Sequence, residues 1–173
     1  AAPSLDSLFQ LFTRGVTGDA QRLRIQIIEL LRSDNPKYRA EGLKCCLVLP
    51  DKAVSHLVTA ALHDQDEQVL LAAIYLIGEK RLKEFLPYIQ ELVNNSSDRA
   101  EVIAAAKAIK GFVGAVDPKK TLNALLEAKK RIHRGVVITT AEEFLNVFGE
   151  MGKEEEETLK AFSEMDNEAQ IIS

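Results

Sequence analysis

Tryptophan is missing from this 173-residue chain, and Phe and Tyr bring the aromatic share to only 6 %. Strands of a β-sandwich favour aromatic and β-branched side chains, so a core this poor in rings must be built from Leu, Ile, Val and Ala, which suits closely packed helices. Positive charge is also scarce. Lys and Arg number 22 against 26 Asp and Glu, a net charge of -4 and a pI near 5.5. Proteins that live on phosphate contacts carry a basic surplus, so nucleic acid is not the expected partner. No apolar run reaches the ~18 residues needed to span a bilayer, and no membrane insertion by this segment is expected. Cysteine occurs only as the adjacent pair Cys45 and Cys46. Neighbouring cysteines rarely close a disulfide, because the ring is strained. They read instead as two small core-facing residues in a reducing compartment, and the expected location is the cytoplasm. No signal peptide is visible, and the chain starts at Ala1 without Met. The expectation is a processed form or a piece of a longer protein.

What is present is a globular balance, 46 % hydrophobic and 28 % charged, arranged in an internal repeat. Asp34, Asp66 and Asp98 recur at a step of 32 residues, as do Ala40, Ala72 and Ala104, and Cys45, Ile77 and Ile109. Asp is a good helix N-cap, because its carboxylate accepts the first free backbone N–H groups. The alanine six places later is small enough to let a neighbouring helix approach. Gly78 and Gly111, with Gly114 behind it, sit near where this first helix must stop. A second helix repeats as well. Val54, Leu57, Ala60 and Ala61 match Leu86, Ile89, Leu92 and Val93 at the same step, and Leu122, Leu125 and Leu126 follow Ile89, Leu92 and Val93 at a step of 33. Ile25 and Ile28 precede Leu57 and Ala60 by 32, placing a second helix of an earlier unit at about 21–32.

The ends are less regular. Residues 4–14 read as an amphipathic helix broken by Gly15 and Gly18. Residues from Thr140 to Phe148 read as a helix capped by Thr139 or Thr140 with Glu142 and Glu143 behind. A further helix is expected at about 154–165, with Leu159 and Phe162 inward, and fraying over 166–173.

The run of Asp, alanine and apolar positions, clearest from Asp66 through Gly78 and Phe85-Leu-Pro-Tyr-Ile-Gln-Glu-Leu-Val93, resembles the HEAT-repeat superfamily in its short bacterial, phycobilisome-lyase-like form. The resemblance covers roughly residues 20–131. It implies an all-α fold, an α-solenoid of stacked antiparallel helix pairs. The chain then reads as one domain, 1–173, with 1–19 as N-terminal cap and 132–165 as a degenerate C-terminal cap. Units of this family often carry Arg before the alanine pair. Arg39 fits, but Leu71 and Ile103 stand at the matching places, which implies more apolar contacts between units.

Catalytic constellations are not evident. A nucleophile needs a base beside it, and the only histidines are His56, His63 and His133. His56 and His63 are seven apart, about 10.5 Å along a helix, too far for a shared metal. Asp64 and Asp66 look like an acidic pair, but the repeat explains Asp66 as an N-cap. The Gly111–Gly114 stretch lacks the Lys-Ser/Thr of a phosphate loop. The acidic run Glu154–Glu157 reads as the start of a helix. No metal or cofactor is expected, and the chain is read as a non-enzyme.

By the HEAT resemblance, the second helices line the concave face. Register then aligns His56, Tyr88 and Thr121 in one solvent-facing row and Thr59, Glu91 and Ala124 in the next, flanked by Ser55, Pro87 and Lys120. The expected function is protein–protein interaction or scaffolding, with a partner protein bound through His56, Thr59, Tyr88, Glu91, Lys120 and Thr121. The alternative surface is the basic cluster Lys129, Lys130, Arg131 and Arg134, with His133 among them and Lys119 and Lys120 one helix away. Two other functions follow from relatives of this kind, a chromophore-lyase-like accessory protein and a nucleic-acid-binding HEAT-like domain.

Overall fold

A computed structural model describes residues 19–148 together with Glu157, Lys160 and Ala161, the last three helical and exposed. The expected helix at 4–14, the glycines 15 and 18, most of the 154–165 segment and the 166–173 tail lie outside the described residues. Every regular element among the described residues is helical, and no helix there is long and apolar enough to cross a membrane. The chain divides into two compact units, Ala1–Lys83 and Glu84–Ser173. The boundary falls inside the repeat that begins at Asp66.

The first unit holds α1 (Asp19–Leu31), α2 (Pro36–Cys45), α3 (Asp51–Ala61) and α4 (Glu67–Lys80). Helix α1 packs on α2, α3 on α4, and α2 on α4. The starts of α2 and α4 show the cap chemistry the repeat suggests, with one shift. Asp66 Oδ1 accepts the Gln68 amide at 2.9 Å, as expected. In the preceding repeat the cap is Asn35, not Asp34, with Oδ1 on the Lys37 amide at 3.0 Å. Pro36 explains the shift. It occupies the first helical position and holds the residue before it in the extended region, where Asn35 lies at φ -83, ψ 116.

Inward faces follow the apolar stripe. Val54, Leu57 and Ala61 on α3, and Ala72 and Ile77 on α4, are buried. Three expectations are corrected here. Ile25 is exposed, and the inward residue of α1 is Ile27. The reason is that α1 meets α2 through a stripe shared with Leu30 and Leu31, both of which crowd Gly42. Ala60 is exposed although it aligns with Leu92 and Leu125. Cys45 is exposed, whereas Cys46 is fully buried. Helix α2 stops at Cys45 and the chain tightens into a 3-10 turn, Cys46–Val48, which carries the second thiol inward to the Gly42 carbonyl at 3.1 Å.

Burial, with a smaller contribution from Cys45, pushes the Cys46 thiol up to about 12. Only the thiolate is a good nucleophile. One thiol per chain, that of Cys45, is therefore expected to react with a disulfide reagent at pH 8 in the native protein, and two after unfolding in guanidinium. Two fast equivalents without denaturant would contradict this burial.

Helix α4 runs two residues past Gly78. It ends on Arg81, whose φ of 53 is left-handed. The amides of Arg81 and Leu82 return to the Gly78 and Ile77 carbonyls at 3.3 and 3.0 Å, the paired hydrogen bonds that close a helix through a left-handed residue. Lys80 Nζ then bonds the Leu49 carbonyl at 2.9 Å and pairs with Asp51 at 2.9 Å, tying the α2–α3 turn to the end of α4.

The second unit holds α5 (Leu86–Asn95), α6 (Arg99–Ile109), α7 (Pro118–Glu127) and α8 (Arg134–Phe148). Helix α5 packs on α6 and α7, and α8 packs on α6 and α7. Asp98 caps α6 through the Glu101 amide at 3.0 Å. Asp117 caps α7 through the amides of Lys119 and Lys120. The turn between α6 and α7 uses Gly114 at φ 91, where a side chain would be strained. Ile89, Val93, Ile109, Leu122, Leu125 and Phe144 are among the most deeply buried side chains.

Ala104 is half-buried, not buried like Ala40 and Ala72. The inward stripe of α6 runs through Val102, Ala105, Ala106 and Ile109, which leaves position 104 at its edge. The C-terminal expectation is corrected too, because α8 starts at Arg134, ahead of both threonines. Thr139 and Thr140 donate back to the Gly135 and Val136 carbonyls at 3.0 and 2.7 Å, the habit of threonines inside a helix. The cap is His133, whose Nδ1 accepts the Gly135 amide at 3.1 Å.

Candidate partner-binding face

The polar residues of the second helices divide between the units. In the first, on α3, Thr59 is exposed and His56 half-buried. The Thr59 hydroxyl donates to the Ser55 carbonyl at 2.9 Å. In the second, Glu91 on α5 and Lys120 on α7 are exposed, and Glu91 accepts from Asn95 Nδ2 at 2.8 Å. Tyr88 is half-buried. Burial pushes its phenol up, and the negative charge of Glu101 on α6 adds to the shift, so this ring leans on its own unit more than a free surface anchor would.

Thr121 departs furthest from expectation. It is buried at 8 % exposure, not solvent-facing. Helix α7 is packed on two sides, by α5 and by α8, so its inward face is wider than the Leu122–Leu125–Leu126 stripe and takes in position 121. The hydroxyl is satisfied within the helix, donating to the Asp117 carbonyl at 3.0 Å. Lys120 and Thr121 nevertheless come together at an open groove of about 250 Å³ between α5 and α7, with Gln90 and Asn94 on the opposite wall and Val93, Ile109 and Ala124 lining it. Tyr88 and Glu91 are not in this lining. Sequence register missed Gln90 and Asn94. They lie on the side of α5 away from Tyr88, more than a quarter-turn from it at about 100° per residue, with Asn94 about 60° from Glu91.

The basic cluster is dispersed among structural tasks. Arg131 is half-buried, and its guanidinium donates to the Val93 carbonyl at 2.7 Å and the Ser96 carbonyl at 3.0 Å. It thereby closes the C-terminal end of α5, where free carbonyls and the helix dipole favour a cation. Lys130 pairs with Glu127 at 2.7 Å. The hydrogen bond from Lys130, with the charges of Lys130, Lys129 and Arg131, holds the Glu127 carboxyl below its ordinary range. Lys129 is exposed and Arg134 half-buried.

The remaining polar candidates fall into the same pattern. His63 lies beyond the end of α3, in the turn, so it does not share a helix with His56. Asp64 accepts the Asp66 amide at 2.9 Å and meets Arg39 in a fork, Nε to Oδ2 at 3.1 Å and Nη2 to Oδ1 at 3.2 Å. Burial alone would raise the Asp64 carboxyl, but the Arg39 hydrogen bond and charge, with the Asp66 amide, outweigh it and hold the group below its ordinary value. Arg39 Nη1 completes the knot on the Ser33 and Asp34 carbonyls, both at 3.0 Å. The matching Leu71 and Ile103 are half-buried apolar residues, so this fork belongs to one repeat alone. Among the described residues, no group of three or more His, Cys, Asp or Glu side chains is placed to hold a metal. Compared with known protein families, with curated proteins and with solved structures, the chain matches none.

Proposed function

We propose that this chain is a protein-interaction or scaffolding module and not an enzyme, its helices stacking as a HEAT-like solenoid that binds a partner protein on the second-helix face. The observation that carries the reading is the open groove between α5 and α7, where Lys120 shares a predominantly polar lining with the carboxamides of Gln90 and Asn94. Carboxamides both donate and accept hydrogen bonds and suit a polypeptide backbone. The structural duties of Arg39, Asp64, Arg131 and His133 also favour binding over catalysis, because these groups are already committed to the fold. A bacterial source and a cytoplasmic location belong to the same proposal.

The test uses surface changes only. Tyr88→Ala would remove half-buried area as well as contacts, so Asn94→Lys with Lys120→Glu is the cleaner variant, both side chains being exposed and both lining the groove. A photoreactive residue at position 94 or 120 is expected to crosslink one specific protein in cells of the source organism. The double substitution is expected to weaken that association about tenfold or more while leaving the melting temperature unchanged. If Lys129→Glu with Lys130→Glu abolishes binding and the double substitution does not, the basic cluster is the site and the groove reading fails.

A further inference from the structure

Gln90 and Asn94 form one wall of the groove between α5 and α7. They stand four residues apart on α5, so their side chains leave the same face of the helix about 6 Å apart along its axis. In an extended chain, a residue whose N–H and C=O point to a given side recurs every second position, a spacing of about 6.6–6.8 Å. A strand laid along α5 therefore turns backbone groups toward each carboxamide in succession. Each carboxamide offers one acceptor oxygen and two donors, enough to pair with both the N–H and the C=O. Among the described residues that line the groove, Lys120 on α7 is the only charged one. Arg39, Lys130 and Arg131 are held by bonds within their own unit. Among the described residues, the side chains of Gln90, Asn94 and Lys120 make no such bond.

The Lys120 ammonium has three donors and no acceptor. A partner that covers the groove removes part of its water, and that loss is offset only if the partner supplies an acceptor, best of all a carboxylate. A basic side chain at the same place would meet Lys120 as a like charge. A lone cation does not match a phosphate chain, whose binding proteins spread several Lys and Arg along the backbone. Phosphorylated side chains are likewise taken by clusters of Arg. One carboxylate fits one lysine. We propose that the groove binds an extended segment of a partner protein, with an Asp or Glu side chain of that segment set against Lys120 and its backbone carried by Gln90 and Asn94. The inference rests on the reading of this groove as the partner site and adds the conformation and the charge of what is bound.

The experiment selects displayed random peptides on the folded full chain and repeats the selection on Lys120→Glu. Lys120 is exposed in the first turn of α7, where the helix dipole favours an acidic side chain, so this variant is expected to melt like the wild type. Peptides enriched on the wild type are expected to carry Asp or Glu at one fixed position and to avoid Pro beside it, because Pro removes a backbone donor. On Lys120→Glu the preference at that position is expected to turn to Lys or Arg. For a synthetic winner, replacing its acid by the amide is expected to weaken binding about tenfold. Gln90→Ala with Asn94→Ala is expected to weaken the acidic peptide and its amide form by a similar factor, since both lose the backbone contacts. The proposal is overturned if no peptide enriches, if the winners share no acid, if Lys120→Glu selects the same acidic sequences, or if the double alanine variant keeps full affinity. Winners without an acid that lose binding in Asn94→Lys leave the groove as the partner site and overturn the acidic occupant alone. Acidic winners that bind Asn94→Lys and Lys120→Glu as tightly as the wild type overturn both readings.

Discussion

Gly42→Val is expected to destabilise the protein by about 2–3 kcal/mol, the upper part of the range for forcing side-chain atoms into a packed contact. Gly42 sits on α2 where α1 crosses it. A Cβ at this position would lie 2.9 Å from Leu30 Cβ and 3.1 Å from the Leu31 backbone nitrogen. Neither atom is the free end of a flexible side chain, so relief requires the two helices to move apart. Valine adds two more methyl groups to the same contact. Gly42→Ala makes a graded comparison. It meets the first clash but recovers up to about 1 kcal/mol of helix propensity, so its loss should be clearly smaller. Urea denaturation followed by circular dichroism measures both, and a Val variant as stable as the wild type would show that α1 and α2 are not in this close register.

Ala72→Arg is expected to cost more, about 4 kcal/mol or above, because it combines overpacking with an uncompensated charge in the core. Ala72 is 2 % exposed on α4, between buried Val69 and Ile77. A guanidinium there would be taken out of water at a site built for a methyl group. Domains are commonly stable by only about 5–15 kcal/mol, so the variant should show a much lower denaturation midpoint or fail to accumulate as soluble protein. Gln68→Arg, an exposed site one turn earlier on the same helix, should change stability by no more than about 0.5 kcal/mol. Equal behaviour of the two variants would mean that the inward face of α4 is assigned wrongly.

The positions of these two residues separate what is local from what is not. Helix content, the helix starts at Asp66 and Asp98 and the inward placement of Ala72, Ile77, Leu57 and Leu122 were legible in the residue order, because each depends on the residue's own cap or on a 3.6-residue period. A proline was enough to move the first cap from Asp34 to Asn35, again a local effect and one readable after the fact. The cap of α8 was less accessible. Histidine is an uncommon cap, and Thr139 and Thr140, which look like the start of a helix, lie inside one that begins earlier.

Other assignments were decided by neighbours far away in the chain. Thr121 turned inward because α7 is enclosed by α5 and α8, and repeat register carries no information on how many sides of a helix are covered. Arg131 closes the end of α5 across 38 residues of chain to Val93, and Arg39 reaches Asp64 across 25. Both side chains carry long stems whose end point depends on which carbonyls or carboxylates fold into reach. Ala60 shows the division most simply. The alignment with Leu92 and Leu125 made it a shortened copy of a core residue, a fact of the sequence alone. That the missing atoms leave an open apolar patch lined by Leu31 and Leu43 depends on how four helices come to rest against one another.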